Sequence, residues 1–505
     1  MESSIYKRYS YTFAMILGAM SAISTPPFYM FIALLIGMSG FYITLSHIQN
    51  TKQAFCLGWW FGFGYFTTSL YWLAIPLINQ TKIFWPLVPL AVIIIPSILS
   101  LFFGIAASIT HFINYKKFCG LIILSLSFTI AGICIEMIFP WNLLGYSWSF
   151  STEMLQTASL IGPHGMTFLA VLCSAAVGVS IQDKSILSCI VALSILVSMY
   201  VYGSNRLSNQ EHKYHDDITL RIVQGNVDHR WDENEDQEYN TFQTYLGLTS
   251  KYGLNSRTHI IWSEGSFPLL TDKNSYTIKN NIKFTIPKFL IAGGTRYDEK
   301  SQKFHNTLFA IDGNGRIIDY YDKYHLVPFG EFIPSILSSI VPRSIVAGFN
   351  YSPGERKEKL IPLHNSKVPF VPSICYETIF SHEIRDKCIS GKWIINLTND
   401  GWFGISSQPY QHLEMSRMRS IENGLPTIRA ANTGISAVID SYGIIVHSLP
   451  IITEGVIDSY LPYHINSGTF YSKYTSKFIT PVVGLIILVL LLFKIIFHRY
   501  RTKKH

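Results

Sequence analysis

Three short stretches carry residue types that could share one acyl-transfer chemistry. In "PSICYET", residues 372–378, Cys375 ends an apolar run, "VPFVPSI", and precedes a helix expected at 381–390. A thiol at a strand-to-helix turn is held rigidly and exposed, and the turn amides are expected to favour its thiolate form. Taken alone, such a cysteine is a nucleophile, a buried filler or a metal ligand. The metal reading is weak, because nearby His382 and Cys388 show no ligand spacing, and no metal or nucleotide motif appears elsewhere. No metal or cofactor is therefore expected. In "IIWSEGSFP", Glu264 follows an apolar strand and enters a Gly/Ser turn. In "YYDKYHLVPFGEFIP", Lys323 ends a strand before a Pro-Phe-Gly-Glu turn. Each charge alone reads as solvated. Together with Cys375 they form a set in which a glutamate takes the thiol proton, a lysine stabilises a tetrahedral oxyanion and the sulfur carries an acyl group as a thioester. Such a set does not require His325 or His382.

These residues sit in an unusual chain. Of 505 residues, 49% are hydrophobic and 14% charged, and the mean hydropathy is +0.25. Soluble domains carry roughly 25% charged residues, so a bilayer is indicated. Apolar runs occupy about 11–25, 27–46, 54–77, 85–112, 118–138, 165–182, 186–203 and 479–498, near the 17–25 residues that a helical span takes. The first run, preceded by Lys7 and Arg8, could be a signal peptide. The second run follows it at once, so a helical hairpin broken at Pro26-Pro27 is the better reading.

The net charge of +8 reflects topology rather than nucleic acid. Lys7, Arg8, Lys52, Lys116, Lys117, Lys184, Arg499, Arg501, Lys503 and Lys504 all fall on one side of an eight-span arrangement. Positive-inside bias puts both termini in the cytoplasm and the polar block facing outward. The expected organisation is a seven-span bundle at 1–203, an extracytoplasmic domain at 204–475, and a last span with a basic tail at 476–505. The Trp/Tyr-rich loop 139–164 is expected at the outer surface. Glu136 lies within a span, either near the interface or lining a cavity. Seven cysteines, five of them in or beside apolar runs, give no disulfide framework.

The polar block reads as α/β. "ITLRIVQGNV", "HIIWSEGSFP" and "FLIAGGTRY" are strand-like, and "FHNTLFAIDGNGRIIDYYDK" is a hairpin turned by Asp312-Gly313-Asn314-Gly315. "WIINLTND" and "TIRAANTGISAVIDSYGIIV" add strands. Helices are expected at 235–251, 273–285, 381–390 and 408–423. This alternation predicts layers of helix and sheet.

The chain resembles the nitrilase (carbon–nitrogen hydrolase) superfamily and, more closely, the apolipoprotein N-acyltransferase family. The likeness rests on Glu264 in "WSEGSFP", Lys323 and Glu331 in "DKYHLVPFGEFIP", Cys375 in "ICYE", "NLTNDGWFG" at 396–404 and "RMRSIENGLPTIRAANTG" at 417–434. It implies eight spans with a nitrilase-like αββα sandwich inserted before the last. It also implies ping-pong transfer of an acyl chain from a membrane phospholipid, usually phosphatidylethanolamine, to the N-terminal amine of S-diacylglyceryl-cysteine in lipoproteins. Family members work in the bacterial inner membrane with the catalytic domain in the periplasm, and a monomer is expected. Carried over by motif, Cys375 is the nucleophile, Glu264 the base and Lys323 the oxyanion stabiliser. Glu331 is the second essential glutamate, and Tyr376 and Glu377 are the pair after the cysteine. Trp231 matches a functional tryptophan more loosely. Asn399 and Asp400 are expected to shape the pocket wall, and Trp402 and Phe403 to line the acyl path or pack.

A soluble amidase does not need so many spans. Drawing an acyl chain into water costs about 0.8 kcal/mol per CH₂, so a chain of roughly 16 carbons costs more than about 10 kcal/mol unless it stays in the bilayer. The segment 341–355, "VPRSIVAGFNYSPGE", is a candidate lid. The alternative is a membrane-anchored nitrilase-type amidase, which would share every residue of the set.

Overall fold

The computed structural model describes residues 2–474, apart from 80–81, 114–116, 211–212, 229–234, 252, 271–274, 334–349, 356–358 and 363–367. Trp231, most of the candidate lid and the span expected at 479–498 lie outside the described residues. Contacts divide the chain into two units. One comprises Met1–Ser69, Pro96–Ser204 and Ser467–His505, the other Leu70–Ile95 and Asn205–Asn466.

The first unit is helical. Glu2–Ala22 and Phe31–Ser46 are separate helices on either side of the two prolines. Glu2–Ala22 also packs backbone to backbone on Thr51–Ser69. A Cβ on Gly18 would stand 1.8 Å from the Phe61 carbonyl oxygen, and one on Gly64 would stand 2.0 Å from that of Met15. Small residues allow such approach where apolar burial cannot drive association between helices. Four described helices are long and apolar enough to cross a membrane: Trp85–Ile113, Lys117–Glu136, Ala158–Asp183 and Leu187–Ser208. The bent pair Thr51–Ser69 and Tyr71–Asn79 would make a fifth.

The loop 139–164 and Glu136 are packed into the helical unit. Trp141, Tyr146 and Trp148 are buried rather than spread on a surface. Trp148 stacks on Phe31 at 4.6 Å, and its indole donates to the Met166 carbonyl at 2.9 Å. A buried indole needs such a partner. Glu136 is buried and pairs with His164.

The second unit holds two sheets. The first has the order β11-β1-β2-β3-β4-β5, from β1 (Tyr214–Gln224), β2 (His259–Trp262), β3 (Phe289–Asp298), β4 (Lys303–Asp312), β5 (Ile317–Asp322) and β11 (Gly455–Pro462). The second has the order β10-β9-β8-β7-β6, from β6 (Phe370–Ile374), β7 (Trp393–Thr398), β8 (Thr427–Ala431), β9 (Ser436–Ile439) and β10 (Ile445–Leu449). β1, β2 and β3 run parallel, as do β6, β7 and β8. β3–β4–β5 form an antiparallel meander, with the expected Asp-Gly-Asn-Gly turn after β4.

Side chains alternate between two cores, as the period of two requires. Leu220, Ile222, Ile261, Ile291 and Leu308 meet Ile374, Ile395, Leu397, Ile428 and Val438 between the sheets. Val223, Ile260, Trp262 and Leu290 point outward, against Phe242, Tyr245, Ile278 and Ile282 of helices Glu235–Thr249 and Ser275–Thr285. Helix Ser381–Cys388 packs on Val371 and Ile394 of the second sheet, and Leu413 of helix Gln408–Asn423 packs on Ala437 and Ile439. The result is the αββα layering that the resemblance implied. β11 is the strand that the sequence reading did not name.

Candidate active site

Each residue of the set directly follows a strand. Glu264 lies just past β2, Lys323 just past β5 and Cys375 just past β6. Strand ends in layered α/β units open onto a shared crevice, where loops can present side chains.

Glu264 and Lys323 are buried, and their side chains meet. Lys323 Nζ donates to Glu264 Oε1 at 3.3 Å and to Glu331 Oε1 at 3.0 Å. Asn306, on β4, bridges the same two carboxylates. Its Nδ2 donates to Glu264 Oε1 at 2.8 Å and to Glu331 Oε1 at 2.6 Å. The other Glu264 oxygen accepts the backbone N–H of Asn399 at 2.9 Å. The other Glu331 oxygen accepts that of Val327 at 2.7 Å. Close approach between β3 and the Glu264 turn requires Gly293, where a Cβ would lie 2.6 Å from the Glu264 Cα. Burial works against charge on Lys323, but Glu264 and Glu331 outweigh it and hold the ammonium well above the usual range. Burial raises the Glu331 carboxyl above its ordinary range, with Lys323 opposing and the Glu264 charge adding to the rise.

Cys375 opens a 3₁₀ turn, Cys375–Ile379, and has φ +45°, a left-handed conformation for a residue with a Cβ. That conformation costs on the order of 1–3 kcal/mol, so the surroundings must impose it. Burial pushes the thiol above its ordinary range and Glu264 pushes it further, while Lys323 and a hydrogen bond from Thr398 oppose. The surroundings of the sulfur thus favour the thiol over the thiolate. A neutral thiol beside a carboxylate needs a base at the moment of attack.

Glu377 ties the turn to the strand that carries Lys323. Its Oε1 accepts from the Tyr321 hydroxyl at 2.7 Å, from Tyr324 N–H at 2.8 Å and from His325 N–H at 3.4 Å, and its Oε2 accepts from Ile374 N–H at 2.9 Å. Replacing Glu377 by alanine removes the acceptor of these donors, at about 1–3 kcal/mol for each buried one, Tyr321 and Ile374, left unsatisfied. The Glu377→Ala variant is expected to melt well below wild type in a thermal-unfolding scan. Tyr376 is buried beside Phe380, ring to edge at 5.1 Å.

Asp400 lies under the site, buried between Arg429 Nη2 at 2.6 Å and His412 Nδ1 at 2.8 Å. Burial disfavours its charge, yet Arg429 and His412 hold the carboxyl well below the usual carboxylate range. Asn399 shapes the adjoining turn, accepting Gly401 N–H on its side chain at 3.1 Å. Phe403 packs edge-on against Trp72 at 5.0 Å. His325 pairs with Glu383 at 2.5 Å and stacks on Phe380, apart from the carboxylate–lysine cluster.

Sequence reasoning missed Asn306 and Thr398. A polar residue within an otherwise apolar strand, "FHNTLFAI" or "WIINLT", was the available signal. Together the cluster offers a thiol, a carboxylate with a free lone-pair direction and a buried ammonium, which suffice for acyl transfer through a thioester.

The chain is similar to known proteins over most of its length. Residues 17–176 match the family described as apolipoprotein N-acyltransferase N-terminal domain, and residues 288–462 match carbon-nitrogen hydrolase. An apolipoprotein N-acyltransferase of Rhodopseudomonas palustris is 35% identical over 88% of this chain and 87% of its own. One of Rickettsia typhi is 32% identical over 94% and 97%. Among solved structures, Saccharomyces cerevisiae Nit3, of the nitrilase superfamily, matches with a TM-score of 0.38 at 16% identity, covering 52% of this chain and 95% of its own.

Proposed function

The chain belongs to the apolipoprotein N-acyltransferase family, and from that premise we propose that Cys375, Glu264 and Lys323 carry its acyl transfer to lipoproteins. The observation that carries this assignment is the meeting of Lys323 Nζ with Glu264 and Glu331 at 3.3 and 3.0 Å, within electrostatic reach of the Cys375 sulfur.

The reaction runs in two halves. Glu264 takes the thiol proton as the sulfur attacks an ester carbonyl of the donor lipid. The carbonyl oxygen becomes an oxyanion beside Lys323. Collapse breaks the C–O ester bond, and the proton held on Glu264 passes to the leaving alkoxide, giving a lysolipid and an S-acyl Cys375. The N-terminal amine of the lipoprotein then attacks the thioester and loses a proton to Glu264. The C–S bond breaks, the amide forms, and the sulfur recovers its proton. Glu331, kept above its ordinary range, and Asn306 hold Glu264 and Lys323 in place. Tyr376 and Glu377 brace the turn, and Trp231 is assigned to substrate binding.

The donor is a membrane phospholipid, phosphatidylethanolamine being the first candidate, and the acceptor a diacylglyceryl lipoprotein. The enzyme works as a monomer in the bacterial inner membrane. It has eight spans, both termini in the cytoplasm and residues 204–475 in the periplasm. The asymmetry of the basic residues and the chain-extraction cost supports this placement.

The test supplies acyl-labelled phosphatidylethanolamine and a diacylglyceryl-cysteine peptide to the purified protein. Label should pass to the peptide amine. Failure to transfer, with ammonia released from amide substrates instead, would give the amidase alternative.

A further inference from the structure

His412 contacts the backbone of the reacting cysteine, and nothing in the chemistry above uses it. It lies on helix Gln408–Asn423 and is fully buried. Its Nε2 is 3.1 Å from the Cys375 carbonyl oxygen. A carbonyl oxygen only accepts, so Nε2 carries the hydrogen and donates it.

The opposite edge of the ring is clamped. With its hydrogen on Nε2, the neutral ring accepts at Nδ1 from Arg429 Nη2 at 3.0 Å, with Asp400 Oδ1 2.8 Å away, and Arg429 also binds Asn396. Gln408 Nε2 and Thr398 Oγ1 complete the Asp400 shell at 3.2 and 3.3 Å. The ring therefore cannot turn without breaking a buried charge-assisted network. The helix that bears it is pinned one residue earlier, where the Trp72 indole donates to Gln411 Oε1 at 3.0 Å.

The group held by this clamp is the one in need of holding. Cys375 has φ +45°, and its carbonyl accepts from His412 and, more weakly, from Asn396 Nδ2 at 3.4 Å. Fixing that carbonyl fixes the peptide plane that leaves Cys375, and with it the direction of the Cα–Cβ bond that aims the sulfur. We propose that His412 is a positioning residue for acyl transfer, whose Nε2–H grips the Cys375 carbonyl and keeps the nucleophile in its left-handed, attacking conformation. This inference rests on Cys375 being the nucleophile.

The test compares His412→Leu, which fills the space without a donor, with His412→Gln, whose amide restores one. Full-length protein in detergent receives phosphatidylethanolamine without acceptor. Formation of the Cys375 thioester is followed by mass spectrometry, and thermal unfolding is recorded for each variant. His412→Leu should form the thioester about 100-fold more slowly, the scale of a misplaced reacting group. Its KM for the phospholipid should stay within about threefold, because ground-state binding is untouched. His412→Gln should recover to within about tenfold of wild type.

A folded His412→Leu variant with the wild-type rate overturns the proposal. So does a folded His412→Gln variant as slow as His412→Leu. Should neither variant fold, an experimental density map of the unmodified protein decides: an imidazole turned away from the Cys375 carbonyl overturns the proposal, and one bonded to it upholds it. A wild-type enzyme that transfers label with no acyl group on Cys375 sinks the nucleophile assignment instead, so the two failures are distinguishable.

Discussion

With Cys375 replaced by alanine, no acyl-enzyme forms and transfer to the lipoprotein peptide falls by a factor on the order of 10⁵–10⁶, the scale seen when a covalent nucleophile is removed. The expectation follows from the absence of a substitute at this position. The sulfur at the end of β6 is within electrostatic reach of Glu264 and Lys323, whereas the neighbouring Thr398 hydroxyl bonds to Asp400, a carboxylate already held in an ion pair with Arg429. Folding should survive, because alanine keeps the Cβ and the backbone bonds of the turn. Mass spectrometry of the two proteins after exposure to phospholipid should show an added acyl mass on Cys375 in wild type and none in the variant. An acyl mass persisting on the Cys375→Ala chain would move the nucleophile elsewhere.

Replacing Lys323 by alanine is the second large effect. Losing a preorganised oxyanion stabiliser costs about 3–4 kcal/mol of barrier, or roughly 10²–10³-fold in rate. The loss should exceed that here, because the same ammonium neutralises Glu264 and Glu331. Without it, two carboxylates bridged by Asn306 remain buried together, and one must take up a proton. A proton shared between the two carboxylates disturbs the hydrogen bonds that orient Glu264 toward its task. Removing one partner of a buried ion pair also costs about 3–5 kcal/mol of stability. The Lys323→Ala protein should therefore fold with a clearly lowered melting temperature and form the thioester at least about 10³-fold more slowly. Measuring both separates the effects. Full thioester formation in a folded variant would remove Lys323 from the chemistry.

The sign of the Cys375 environment bears on both results. An activated cysteine reacts as a standing thiolate, whereas this one is pushed above its ordinary range by burial and by Glu264. Its reactivity depends on a base that acts during attack. The geometry provides one in Glu264, whose two oxygens are oriented by Asn306, Lys323 and the Asn399 amide.

Much of this was legible in the chain. The ends of β2, β5 and β6 could be placed because apolar runs stop at "SEG", "DKY" and "CYE", and a strand that stops beside a charge or a thiol displays it. The Asp-Gly-Asn-Gly hairpin could be placed because its residues tolerate positive φ. β11 could not, because "GVIDSYLP" mixes polar and apolar residues without a clear period, and its place comes from pairing with β1 across more than two hundred residues of sequence. The packing of the aromatic loop could not be read either, because tryptophan is as suited to a buried hydrogen-bonded site as to an interface.

The sequence by itself determined the chemistry available to this protein: a thiol, a carboxylate and an ammonium at strand ends, in a chain too apolar to leave the membrane. Residue types and local periodicity suffice for that, since both are short-range. The tertiary structure alone decided the working state of those groups. The Asn306 bridge, the neutral thiol at a left-handed Cys375 and the His412–Asp400–Arg429 clamp each depend on atoms distant in sequence and brought within about 3 Å. At that range desolvation and charge, rather than local propensity, set what a side chain can do.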